Sequence, residues 1–214
     1  MTRRLLIGVI LVLISASADA AERWRQPGCE ARLARPAVGG AVGTISAGNR
    51  PSRTTFNADV WDDLSTEAGV SVSLNGSIPL GSEFAMRVEV STARVSVVRT
   101  MLDSARPHDV IGRGAAGHFD VRQYTASVVR YNDSYTAICP YAGGGIGLYQ
   151  FSAGDARATS PGVFGVVGLE FSIGQARAIG VEVAIHVANN KGRDPLSEEL
   201  AFMGRPAVVY RRHF

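Results

Sequence analysis

Glu182 and His186 are four residues apart in a run whose apolar residues recur at every second position, so both fall on one face of a strand. A carboxylate beside an imidazole supplies the acid and base of an acyl-transfer site. Acyl transfer also needs a hydroxyl or thiol to attack the ester, and Gly180 and Ala184, which share this face, supply neither. An acid and a base without a nucleophile are not a catalytic site, and no catalytic residue is expected. His186 then reads as an interior or rim histidine near the outer end of its strand.

Other charges occupy the same kind of position. Arg87 and Glu89 share the minority face of one alternating run, and Glu170, Glu182 and Arg211 sit on the minority faces of later runs. Isolated buried charges are costly, so Arg87, Glu89, Glu170, Glu182 and Arg211 should pair with one another or with trapped water, with His186 beside them. Such a set could form a gated proton or ion path, or a packed polar plug; the plug is the expectation.

Cys29 and Cys139 are the only two cysteines, and His108, His118, His186 and His213 the only four histidines. No pair among them has metal-ligand spacing, so no metal and no cofactor is expected. A Cys29–Cys139 disulfide is geometrically allowed if residues 22–36 reach under the fold; two free thiols are the alternative. Residues 48–67, with Arg50, Arg53, Phe56, Trp61, Asp62 and Asp63, and residues 100–118, with Arg106, His108, Asp109 and Arg113, read as long polar connections. Their mixed charge suits either an inert solvated loop or contact with lipopolysaccharide phosphates or a protein surface.

These residues need elements to hold them. The 214-residue chain is 46% hydrophobic and 19% charged, too apolar for disorder, and its formal net charge of +3 is too small to argue for nucleic acid. Residues 1–20 carry Arg3 and Arg4, an apolar stretch and an Ala18-Asp19-Ala20 cleavage site, the form of a cleaved secretory signal. Residues 21–36 follow as a periplasmic tail, and 37–214 as one domain.

Downstream the period is two. Val70, Val72 and Leu74 alternate with Ser71, Ser73 and Asn75; Phe84, Met86, Val88 and Val90 alternate with Ala85, Arg87, Glu89 and Ser91; Ile179 to Val187 is an unbroken apolar row at odd positions. Further strands read over 37–47, 119–131, 140–151, 163–171 and 207–214, eight in all. Long connections (48–67, 100–118, 152–160, 189–205) alternate with short ones, the layout of an outer-membrane barrel with long outer loops and short periplasmic turns. Hydrocarbon tolerates only a sheet without edges, and eight strands leave an interior just wide enough for side chains. A lipocalin-like secreted carrier would show the same alternation with its apolar rows inward. The scattered charges on the minority face, the terminal Phe214 and aromatics near strand ends (Tyr124, Tyr131, Tyr141, Tyr149, Phe151, Phe171 and Tyr210, expected as interfacial girdles) favour the membrane form.

Residues 140–149, PYAGGGIGLY, resemble the fifth strand of small bacterial outer-membrane barrels of the OmpA/OmpX-like superfamily, and residues 165–171 with 179–182 its next hairpin. The terminal VVYRRHF (208–214) resembles the closing strand, which implies recognition by the barrel-assembly machinery; Arg212 stands where that family usually has an apolar or aromatic residue. The resemblance implies an eight-stranded antiparallel up-and-down transmembrane β-barrel, a monomer in the outer membrane of a diderm bacterium. It implies contact with outer-membrane lipid and lipopolysaccharide and no nucleic-acid partner. The segment His186-Val187-Ala188-Asn189 is also similar to a strand-end motif of lipid A 3-O-deacylase barrels, with Ala188 in the place of the nucleophilic serine. The expected role is non-enzymatic: envelope structural, or surface interaction through the outer loops.

Overall fold

The computed structural model describes residues 34–48, 52–57, 60–103, 110–132, 138–174, 176–189 and 200–214. The expected signal (1–20), residues 21–33 of the tail, Cys29, Arg106, His108 and Asp109 lie outside the described residues. Nine strands are present among those described: β1 (Ala37–Gly48), β2 (Ser52–Asn57), β3 (Val60–Pro79), β4 (Phe84–Asp103), β5 (Val110–Tyr131), β6 (Ile138–Ala153), β7 (Ala156–Ser172), β8 (Arg177–Asn189) and β9 (Leu200–His213).

Eight of them, β1 and β3 to β9, close an antiparallel barrel. Sequential strands from β3 to β9 pair with their neighbours, and β1 completes the ring by pairing β9 on one side (Ala37↔His213) and β3 on the other (Ala37↔Ser77). β2 takes the place beside β3 above that closure, from Ser52↔Leu64 to Asn57↔Val60. At the lower end the backbone of Phe214 donates to Pro36 O at 3.0 Å, tying the C-terminus to the entry of β1. Turns there are short, as at Leu80 N to Phe84 O (2.8 Å) and Ile173 N to Arg177 O (2.8 Å).

The sheet alternates, and its phase decides the solvent. Val38, Leu74, Val88, Val90, Val128, Ile146, Val163, Val167, Val181, Val183 and Ile185 face outward and are exposed, Leu74 by 71%. Arg87, Glu89, Glu170, Glu182, Arg205 and Arg211 face inward and are each at most 7% exposed. A belt of exposed valine, leucine and isoleucine around a charged interior is the reverse of a carrier that holds an apolar ligand, and only hydrocarbon solvates it. The lipocalin-like alternative is thereby overturned.

Two expectations from sequence are corrected. Among the described residues the outer connections are mostly strand: β3, β4 and β5 run for 20, 20 and 22 residues, about twice the ~9–11 that a tilted strand needs to cross the hydrocarbon layer. Where 152–160 read as a long connection, β6 and β7 are joined through Gly154 and Asp155 alone, with Gly154 at φ 57°, a left-handed value that glycine adopts without a Cβ penalty. The aromatic girdle is likewise partial. Tyr124 and Phe171 are exposed and Tyr210 half-buried, but Tyr131, Tyr141, Tyr149 and Phe151 point inward and are buried. The three tyrosine hydroxyls bond interior polar side chains, and Phe151 joins the apolar packing above them.

Candidate functional site

The lumen is filled in three layers. At the periplasmic end Arg211 (β9) pairs with Glu170 (β7). Its Nη1 also donates to the Tyr131 hydroxyl (3.4 Å) and its Nε to Asn75 Oδ1 (3.4 Å). The Tyr131 hydroxyl in turn donates to Glu170 at 3.3 Å. In the middle layer Glu182 (β8) accepts from Arg87 (β4), from Arg205 (β9) at 3.2 Å, from Arg211 at 3.4 Å and from the Tyr141 hydroxyl (β6) at 2.7 Å. Glu89 pairs with both Arg87 and Arg205. Three guanidinium groups and three carboxylates, drawn from β4, β7, β8 and β9, thus form one connected, formally neutral cluster. Neutrality and mutual hydrogen bonding are the conditions under which charges tolerate burial.

The upper layer holds His186. Its Nδ1 is 3.0 Å from the Tyr149 hydroxyl and its ring stacks on Phe164, centroids 5.2 Å apart and 16° between planes. Nε2 has no hydrogen-bond partner among the described residues. Ser91 donates to Gln123 at 2.9 Å beside it. Above that, Ile45, Val95, Phe119, Val121, Phe151, Ala188 and Met203 pack into an apolar cap. Ala188 is fully buried there.

Glycines make room for the tyrosines that hold these charges. A Cβ on Gly168 would lie 2.4 Å from the Tyr141 ring, and one on Gly162 would lie 2.7 Å from the Tyr149 ring. Each ring therefore lies flat against the neighbouring strand's backbone, which brings Tyr141 to Glu182 and Tyr149 to His186.

Of the residues expected in the lumen, Arg87, Glu89, Glu170, Glu182 and Arg211 are brought into the ionic cluster, while His186 lies in the layer above it. Arg205 was assigned to the connection 189–205 and belongs instead to β9, where it bridges Glu89 and Glu182. Its signal was present: Met203, Arg205, Ala207, Val209 and Arg211 share one face at period two. Cys139 is disulfide-bonded at the periplasmic rim, and the chain's other cysteine, Cys29, lies outside the described residues. Among the described residues no group of three or more metal-ligating side chains gathers.

Fold, belt and plug together define an eight-stranded outer-membrane β-barrel. Neisserial surface protein A has the same fold, at 12% identity and a TM-score of 0.57 over 84% of this chain and 97% of that one. OprG from Pseudomonas aeruginosa follows at 12% identity and a TM-score of 0.54, over 85% and 97%. The outer-membrane protein AlkL, determined in lipid bilayers, follows at 16% and 0.50, over 84% and 90%. No protein-family model and no curated protein sequence matches the chain.

Proposed function

We propose that this barrel is a non-conducting, non-enzymatic outer-membrane protein whose working surface is its projecting outer hairpins, in an envelope structural or surface-interaction role. The observation that carries this reading is the closed stack inside: a neutral Arg–Glu cluster beneath a buried apolar cap of Val95, Val121, Phe119 and Phe151. Ions crossing it would have to break several buried ion pairs and then pass a mainly apolar layer, and an eight-stranded cylinder has no spare width. The burial of Ala188 in that cap, and the stacking of His186 beneath it, support the absence of hydrolysis. What remains available to the outside is the extension of β3, β4 and β5 beyond the belt.

Reconstitution into planar bilayers tests the first half: no step conductance is expected, and a stable open channel would refute it. Cells carrying the protein with residues 99–114 replaced by a two-residue turn test the second. They should lose self-association or adhesion relative to the full-length protein; unchanged behaviour of correctly assembled protein argues against a surface role.

A further inference from the structure

The outward face is not uniform around the barrel. Between Val38 on β1 and Leu148 on β6 it carries an open depression of about 670 Å³. Its floor is set by small residues: Gly76 and Ala126 occupy the row that also holds Val88 and Ile146 (Gly76↔Val88, Val88↔Ala126, Ala126↔Ile146). Leu74, Tyr124 and Leu148, one step outward on the same faces, wall it.

The outer end of this groove is where the charge lies. Arg122 is the next outward-facing residue beyond Tyr124, between Thr92 on β4 and Gln150 on β6, and its side chain is exposed. One step further stand Arg94, held by Asp120 (2.8 and 3.3 Å), and Arg157, opposite Ser152. Arg122 and Arg157 form no salt bridge among the described residues; Asp120 is bridged by Arg94, with Arg122 near enough to act on the same carboxylate electrostatically. On the other side of the barrel the outward residues at the same boundary are Thr44 and Ser46 on β1, Val187 on β8 and Phe202 on β9. Among the described residues these cations and the groove share one sector.

We infer that this sector is a binding site for a phosphorylated, acylated lipid of the outer leaflet. An acyl chain would lie over Gly76 and Ala126, the Tyr124 hydroxyl would stand at the polar boundary, and a phosphate would bridge Arg122 and Arg157 with Thr92 and Gln150 as further donors. An acyl chain alone explains the groove but not the cations, and a soluble anion explains the cations but not the groove; a phosphorylated glycolipid such as lipid A explains both. Guanidinium–phosphate pairing supplies the specificity, because the fork geometry matches phosphate oxygens at an interface where screening is weaker than in water.

The test uses purified, delipidated, folded protein in detergent, with bound lipid counted by native mass spectrometry. Bisphosphorylated lipid A should be retained, and its fully dephosphorylated form and phosphatidylglycerol released. R122Q/R157Q removes both guanidinium contacts to the phosphate and should weaken retention by roughly tenfold or more. A126F, which fills the groove, should weaken it comparably, and R177Q at the opposite rim should leave it unchanged. Each variant must keep its folded mobility on an unboiled gel. Equal retention of phosphatidylglycerol, or wild-type retention by either R122Q/R157Q or A126F, would overturn the proposal.

Discussion

Glu182 accepts from four side chains at once, Arg87, Arg205, Arg211 and Tyr141, so its carboxylate is where the interior is most exposed to a single change. Glu182→Gln leaves three guanidinium groups facing two carboxylates in a dry lumen. Breaking a buried ionic set costs about 3–5 kcal/mol, more than its intact form contributes over apolar packing. The urea midpoint of the folded band on unboiled gels should fall accordingly, and an unchanged midpoint would mean the charges are held by something else. Gly168→Ala probes the same tier through shape, since its new methyl meets the Tyr141 ring and must displace it from Glu182; a loss of thermal stability is expected on the same gel. Outside the belt, the Arg94 hydrogen bonds hold the Asp120 carboxyl below the ordinary aspartate range. Because the folded-state value is depressed, the pair's small contribution is present above the ordinary value and disappears as pH falls through the lowered one. An NMR titration should place the Asp120 midpoint lower in the wild type than in Arg94→Gln; coincident midpoints would remove the pair.

At the scale of the strand, the alternation on β4 changes phase rather than ending. Met86, Val88 and Val90 face out below, while Ala93, Val95 and Val97 face in above. The outward apolar stripe breaks after Val90, and reading from sequence opens the outer connection at residue 100, yet the ladder continues to Asp103. The break marks the outer edge of the hydrocarbon: below it lipid lies outside and the charges inside, above it water lies outside and the cap inside. Lower strands, the periplasmic hairpins and most interior charges were legible because one periodicity with one phase governs them. Arg205 and the strand extensions were not, since the reading tied apolar phase to one face throughout. The inward turn of Tyr131, Tyr141 and Tyr149 was hidden for a related reason: an aromatic near a strand end suits a girdle as well as a lumen, and only the facing glycines Gly162 and Gly168 distinguish the two. If the extension is self-supporting structure in water, replacing residues 99–114 by a two-residue turn should leave assembly intact. The shortened protein should still show a heat-modifiable shift; loss of that shift would make the outer hairpin part of the folding core.

For the molecule as a whole, the environment is encoded in which side chains tolerate a charge. Val128, Val167 and Val183 lie on β5, β7 and β8, outward and within the belt. Arginine at a lipid-facing position near the midplane of such a barrel costs about 2–4 kcal/mol, falling to about 0–1 near the interfaces. Val167→Arg and Val183→Arg should therefore each lower the unfolding free energy by about that larger amount in lipid vesicles, and Val128→Arg, two residues from Arg130 at the periplasmic rim, by less. Ser96→Arg, outward on β4 above the phase change, should be nearly silent. A barrel dissolved in water would give a different pattern: arginine would be harmless at all four exterior positions, because each side chain would already be hydrated. Measured by urea titration of the refolded protein in vesicles, a uniform small effect would remove the belt from the hydrocarbon. A large cost at the midplane belt positions with none at Ser96 would place Ser96 on the water side of the outer membrane boundary.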